Sequence, residues 1–286
     1  MQIGFIGAGL MGGPLARNLI RAGKSVLVFD LSQEAIARTL EVGTSGKAAA
    51  SIKDLKDCDV VFTSLPLPQH IKGVCLDDGG LYSVLKEGAL HIELSTIDPG
   101  TANELAAAAK AKGIDYLQCT LGKTPAHAEK AEEPMFIGGE QVLFDRNSEL
   151  FKIIGIPEYV GGIDASCAVK LISNMVGMTN LAVLAEGIKV GDAAGMDRNL
   201  LLELLSDTGA RSFQMDVRGP WLAADDYAPR FGLDLALKDV RLGLEMARAW
   251  DLNLKSMEAA LEYYKQASQD GFGKEDCNAV AKVVGK

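Results

Sequence analysis

The stretch AVKLISN, residues 168–174, sets a lysine and, four residues on, an asparagine among apolar neighbours in a pattern that predicts a helix. Positions i and i+4 share a helix face, so the Lys170 ammonium and the Asn174 amide can hold two oxygens of one small molecule. Such an amine can stabilise a developing oxyanion and exchange a proton with it. The plain alternative is a lysine that snorkels its charge into water. Deciding between them requires a hydride carrier and an anionic substrate from the rest of the chain.

The carrier's signature stands at the other end. GFIGAGLMGGPLARNLIRAG joins a predicted strand to a predicted helix through Gly7, Gly9 and Gly12, with Ala8, Leu10 and Met11 in the turn. The first glycine permits a tight turn, the second lets the backbone approach a pyrophosphate, and the third lets the helix pack close to the sheet. Asp30, at the end of the next predicted strand, suits the hydroxyls of an adenosine ribose and repels a 2′-phosphate. The expected cofactor is therefore NAD (NADH), with Arg38 the cation that could weaken the preference. A glycine-rich turn without a ligand is the bland reading. SLPLP and ELSTIDP place Leu65, Pro66, Ser95 and Thr96 where a nicotinamide pocket is expected, although Ser95 and Thr96 could equally cap the helix after Pro99.

These residues need a scaffold, and the hydropathy pattern supplies one. Candidate strands at 3–7, 26–30, 59–65, 90–95, 114–120, 134–139 and roughly 152–157 alternate with helical segments such as 14–22, 32–41, 100–112 and 141–151. Apolar strands separated by helices predict a mostly parallel sheet covered on both faces. After YVGGID the strand pattern stops, and helices are expected near 164–192, 197–207, 211–218, 234–250, 254–269 and 275–282. The expected organisation is an α/β Rossmann domain, 1–161, followed by an all-α substrate-binding and oligomerisation domain, 162–286, with Asp164 a candidate cap for the first of its helices.

Composition narrows the partners. A formal net charge of −9 argues against a general nucleic-acid binder but not against a small anionic substrate. Cys58, Cys75, Cys119, Cys167 and Cys277 are scattered, and His70, His91 and His127 make no metal spacing with them, so no metal site is expected. The uncharged run between Lys170 and Glu186 reads as too short for a bilayer, and no signal segment precedes the first strand, which places the expected home in the cytoplasm without a membrane partner.

Four segments together resemble the β-hydroxyacid dehydrogenases, the 3-hydroxyisobutyrate dehydrogenase-like family: the glycine stretch, ELSTIDP, VGGIDASCAVKLISN and DLALKDVRLGLEMA, 234–247. The resemblance covers essentially the whole chain. It implies that Lys170 is the catalytic lysine, that Asn174 positions substrate, and that Lys238 lies near the cofactor. For Lys238 a helix-surface charge beside Asp239 is the competing reading.

Two departures bear on the substrate. Where the family commonly has a serine and two glycines to cradle a carboxylate, this chain has Gly122, Lys123 and Thr124, which resembles the loop of sulfolactaldehyde reductases. A cation plus a hydroxyl suits a sulfonate or a second negative charge. His127 and Ser173 stand where those enzymes have asparagines, so that match is partial. Asp164 and Ser166 replace glycines and are expected at the site's edge, and EKAEEPMF replaces a small-residue start to the following strand. The leading expectation is an NAD(H)-dependent oxidoreductase interconverting a short anionic β-hydroxyacid and its semialdehyde, with 3-sulfolactaldehyde as one candidate. Lys123 and loop N–H groups would hold the acid end. The alternatives are 3-hydroxyisobutyrate or 3-hydroxypropionate oxidation, tartronate or succinate semialdehyde reduction, imine reduction, and a non-catalytic dinucleotide sensor or scaffold. A homodimer or homotetramer built through the helical half is expected.

Overall fold

The computed structural model describes residues 1–285 and divides into two compact units, Met1–Lys170 and Leu171–Lys286. In the first, eight strands form one sheet: β1 (Gln2–Ile6), β2 (Ser25–Phe29), β3 (Gly46–Ala48), β4 (Val60–Thr63), β5 (Leu90–Glu93), β6 (Asp115–Leu121), β7 (Pro134–Gly139) and β8 (Ile156–Gly161). Their order is β3-β2-β1-β4-β5-β6-β7-β8, parallel throughout except for the antiparallel β6–β7 pair. The chain runs outward from β1 to β3, then crosses back to β4 on the other side of β1. Loops leaving β1 and β4 therefore meet at a topological switch point, where such sheets bind ligands.

Both sheet faces are buried, which explains the near-continuous apolar strands. Ile3, Phe5, Val60 and Phe62 enter one core with Leu15 and Leu19 of helix α1 (Gly12–Arg21). Ile6 and Val61 point the other way. They join Ile71 of α3 (Pro68–Leu76), Tyr82 of α4 (Leu81–Val84) and Leu105 of α5 (Pro99–Ala111). The remaining helices of this unit are α2 (Gln33–Leu40), α6 (Pro125–Glu129) and α7 (Gln141–Ile154).

Two strands differ from the sequence expectation. β3 is three residues long and carries no strand-like pattern. The last strand lies at Ile156–Gly161 rather than 152–157, because Leu150, Phe151 and Ile154 are buried at helical spacing and carry α7 through Ile154. Gly155 ends that helix where a Cβ would stand 2.4 Å from the Glu133 carbonyl oxygen.

Helix α8 (Ile163–Ala193) crosses the division between the units. The second unit continues with α9 (Arg198–Ser206), α10 (Phe213–Ala223), α11 (Leu233–Ala249), α12 (Lys255–Ala267) and a terminal 3₁₀ segment (Cys277–Lys282). Asp197 and Ser212 cap α9 and α10 by accepting the Leu200 and Met215 N–H groups. Leu171, Met175, Met178, Leu181, Ala185 and Ile188 make the buried face of α8. Gly243 of α11 lets Met175 close in, since a Cβ there would lie 2.4 Å from its sulfur. Tyr264 of α12 donates to the Met178 carbonyl at 3.1 Å. With 31 residues and an 18-residue stretch of mean hydropathy 1.4, α8 is long and apolar enough to cross a bilayer, contrary to the sequence reading that counted only the run after Lys170. Its buried side chains are used as the core of the helical unit.

Candidate active site

The glycine turn is built as its spacing demands. Gly7 has φ +92°, and a Cβ on it would stand 2.2 Å from the Ser64 carbonyl oxygen. A Cβ on Gly12 would stand 2.0 Å from the Gly7 carbonyl, so this close approach of helix to strand admits hydrogen alone. The Cβ position of Gly9 meets nothing within 4 Å, leaving the open side that a pyrophosphate needs. Ala8 is buried, Leu10 is exposed, and Met11 gives the first turn of α1 no side-chain cap. Its N–H groups thus suit phosphate oxygens. Asp30 fixes the turn: Oδ2 accepts the Ala8 N–H and Oδ1 the Ser32 N–H, each at 2.7 Å, with further lone pairs for ribose hydroxyls. Arg38 is drawn toward Glu34, at 4.0 Å. These residues fit a dinucleotide.

The loops after β4 and β5 are tied together from beneath. Ser95 Oγ accepts the Leu65 N–H at 2.8 Å. Asp98, not Ser95 or Thr96, caps α5, accepting the Thr101 N–H at 2.9 Å. Beneath Ser95 lies a polar chain absent from the sequence reading, which weighed His91 only as a metal ligand. Glu93 Oε1 accepts the Ser95 N–H at 2.6 Å, and Oε2 accepts the Thr63 hydroxyl. Thr63 Oγ1 lies 2.7 Å from His91 Nε2, and Tyr82 Oη lies 2.7 Å from His91 Nδ1. Thr63, His91 and Glu93 are all fully buried. Burial pushes the Glu93 carboxyl up to about 7 against the pull of Ser95 and Thr63, and pushes His91 down to about 3.

Lys170 is half-buried in the second turn of α8, and its charge reaches Glu133, a fully buried carboxylate immediately before β7. Glu133 Oε1 accepts the Lys123 N–H, while Oε2 has no hydrogen-bond partner. Burial raises the Glu133 carboxyl, with the Lys123 N–H and the Lys170 charge opposing it. The Gly122 N–H donates to the Pro134 carbonyl at 2.9 Å. The loop N–H groups of residues 122 and 123 are therefore engaged within the fold, which corrects the expectation that they receive the substrate's acid end. The side chains of Lys123 and Thr124 are exposed. Thr124 Oγ1 lies 2.8 Å from His127 Nδ1. Arg17 and Arg21 of α1 grip Glu129, and Asn18 donates to the Ala128 carbonyl at 2.7 Å, so the loop is fastened to the dinucleotide helix.

The two residues expected at the site's edge have other tasks. Ser166 is buried and donates to the Phe136 carbonyl at 2.6 Å, and Thr120 donates to the Ser166 carbonyl at 2.8 Å. Asp164, inside the first turn rather than capping it, accepts the Asn103 amide at 2.6 Å. Both fasten the start of α8 within the first unit.

Within the helical unit, Asn174 donates to Asp239 Oδ2 at 2.6 Å, and Lys238 Nζ lies 2.9 Å from Asp239 Oδ1 in an ion pair without hydrogen-bond angles. Lys238 is 8 % exposed, which removes the reading of a helix-surface charge. Asp239, seen in the sequence only as a neighbour, orients the Asn174 amide. Ser173 is exposed. Among the described residues no group of three or more His, Cys, Asp or Glu could hold a metal ion.

The chain matches the family described as the NAD binding domain of 6-phosphogluconate dehydrogenase over residues 2–168. It matches the one described as NAD-binding of NADP-dependent 3-hydroxyisobutyrate dehydrogenase over residues 165–284. It belongs to the 3-hydroxyisobutyrate dehydrogenase-like family. This 3-hydroxyisobutyrate dehydrogenase-like protein is an NAD(P)-dependent oxidoreductase. It is 32% identical to an NAD-dependent L-serine dehydrogenase of Pseudomonas aeruginosa, across 99% of this chain and 97% of that one. It is 30% identical to a 3-sulfolactaldehyde reductase of Escherichia coli, across 99% and 95%. A solved 3-hydroxyisobutyrate dehydrogenase structure from Salmonella typhimurium superposes with a TM-score of 0.88 at 27% identity, covering 99% of both chains.

Proposed function

We propose that this oxidoreductase uses NAD(H) to interconvert a short anionic β-hydroxyacid carrying a primary alcohol with its semialdehyde, and that 3-sulfolactaldehyde is its foremost candidate substrate. The observation that carries the reading is Lys170, half-buried on α8 with its charge felt by Glu133, one helical turn before Asn174. Bound nicotinamide supplies or accepts the hydride at the substrate carbon. Lys170 donates a hydrogen bond to the carbonyl oxygen and passes it a proton as the alcohol forms; in the other direction it takes that proton back. Asn174, held by Asp239, orients a second substrate oxygen. Lys123 and Thr124 hold the acid end, and an ammonium with a hydroxyl suits a sulfonate. The similarity to a 3-sulfolactaldehyde reductase supports this choice.

A serine-like β-hydroxyacid is the second reading, favoured by the similarity to an L-serine dehydrogenase and by the Glu133 carboxylate beside the loop. Oxidation of 3-hydroxyisobutyrate or 3-hydroxypropionate and reduction of tartronate or succinate semialdehyde use the same groups. Asp30 supports NAD over NADP, and Lys238 is assigned to the cofactor. The exposed apolar positions Ile172, Val176, Val183 and Val190 on α8 support a homodimer or homotetramer. Five unpaired, buried cysteines support a reducing, cytoplasmic setting. One panel tests the reading: sulfonated, monocarboxylated and dicarboxylated C3–C4 aldehydes and alcohols, with NAD(H) and NADP(H). The expected result is turnover of an acid-bearing aldehyde with NADH. Turnover confined to neutral aldehydes or to NADPH contradicts it.

A further inference from the structure

A dinucleotide with its pyrophosphate on α1 and its adenosine ribose on Asp30 lays one half over β2. β4 and β5 lie on the opposite side of β1, so the nicotinamide half falls at the loops leaving those strands, residues 64–66 and 95–96. A third strand holds these loops in place. The β5–β6 ladder runs from Leu90 opposite Asp115 to Glu93 opposite Gln118, so Ser95 lies two residues beyond its last rung.

Gln118 of β6 is fully buried. Its Oε1 accepts the Tyr116 hydroxyl at 2.7 Å. Its Nε2 donates to the Glu93 carbonyl and to the Ser95 carbonyl, each at 3.2 Å. The amide can stand only this way round, because reversed it would set its own oxygen against two carbonyl oxygens. One of these carbonyls closes the strand and the other belongs to the loop. The side chain thus continues the hydrogen bonding of the sheet past the end of the ladder.

Ser95 passes the constraint on. Gln118 holds its carbonyl, Glu93 Oε1 accepts its N–H at 2.6 Å, and its Oγ accepts the Leu65 N–H at 2.8 Å. Ser95 is 4 % exposed and faces inward, whereas its neighbours in this arrangement, Thr96 and Leu65, are partly exposed. An apolar side chain at position 118 could fill the same space, but it would withdraw both donors from these carbonyls.

We propose that Gln118 is a positioning residue for the nicotinamide half of the cofactor: through the Ser95 carbonyl it fixes the loop after β5, and Ser95 in turn fixes Leu65, so that both loops stand on β6. The proposal rests on the reading that these loops line the nicotinamide.

The test compares NADH with ADP-ribose, which keeps the adenosine and both phosphates and lacks the nicotinamide. Both are titrated calorimetrically against the full chain, as wild type, Q118M, Q118N and S95A. Q118M keeps the volume and removes both donors, while Q118N keeps the amide and withdraws it by one methylene. Each is expected to weaken NADH about tenfold and to leave ADP-ribose within twofold. S95A frees the Leu65 N–H but keeps the carbonyl tie, and is expected to weaken NADH about threefold, again without moving ADP-ribose. General damage to the fold would lower both ligands together. Equal losses for the two ligands, NADH affinity within twofold of wild type in Q118M, or unchanged NADH affinity in S95A each overturns the proposal; if Q118M does not fold, Q118N decides. Wild type that binds NADH no more tightly than ADP-ribose overturns the reading of these loops as the nicotinamide site, and the proposal with it.

Discussion

The side chains divide by where their partners lie in the chain. Gly7, Gly9 and Gly12 sit in one local turn, and Asp30, at the end of the next strand, is joined to that turn by the Ala8 N–H. Local spacing made that site legible. That Lys170 and Asn174 share one helix was legible for the same reason, from spacing along the chain. Glu133 and Glu93 were not, because their meaning comes from other strands: Glu133 acts on a loop ten residues back, and Glu93 on Thr63 thirty residues back. At this scale Lys123 is the sharpest probe. Lys123→Ala should raise KM for sulfonated or dianionic substrates roughly tenfold and leave KM for neutral aldehydes within twofold, measured as initial rates on paired substrates. Equal effects on both would assign the acid end to other groups.

At the scale of elements, two contacts hold the cofactor turn and the 122–129 loop to α1. The first is the approach of α1 to the Gly7 carbonyl. Gly12→Ala places a Cβ 2.0 Å from backbone oxygen, and backbone cannot yield as a side-chain tip can, so dinucleotide binding should be lost in a fluorescence titration. The second is the grip of Arg17 and Arg21 on Glu129, which lowers the Glu129 carboxyl to about 2. Glu129→Gln loosens the 122–129 loop and should raise substrate KM severalfold while NADH affinity stays within twofold; an unchanged KM would make the grip irrelevant to substrate. The elements themselves were legible wherever apolar periodicity was long. The last strand was misplaced because FKII reads equally as a strand or as the end of a helix, and the choice was made by Gly155 against the Glu133 backbone. Asp164 and Ser166 looked like site residues by position alone, but their partners Asn103 and Phe136 lie on other elements.

For the whole molecule, Glu93 and His91 oppose each other in stability against pH. Burial raises the Glu93 carboxyl from 4.5 to about 7, so the folded chain binds that proton more tightly and stability rises as pH falls from 7 to 4.5. Burial lowers His91 from 6.5 to about 3, so stability falls as pH drops from 6.5 toward 3. Between pH 6.5 and 4.5 the two nearly cancel, and wild type should be almost flat there. E93Q keeps only the histidine contribution and should lose about 2–3 kcal/mol across that interval in urea denaturation. Parallel curves for the two proteins would contradict the shifts. The two-unit organisation was legible from the change of pattern after residue 161, whereas the division at Lys170 falls inside α8, where no change of pattern marks it.

The central claim is that the Lys170 amine handles the proton of the reacting oxygen. Lys170→Ala, assayed for kcat on the best substrate of the panel and for NADH affinity in the same preparation, tests it most directly. The account predicts a loss of roughly 10²–10⁴ in kcat with NADH affinity within twofold of wild type. A kcat within tenfold of wild type would contradict it.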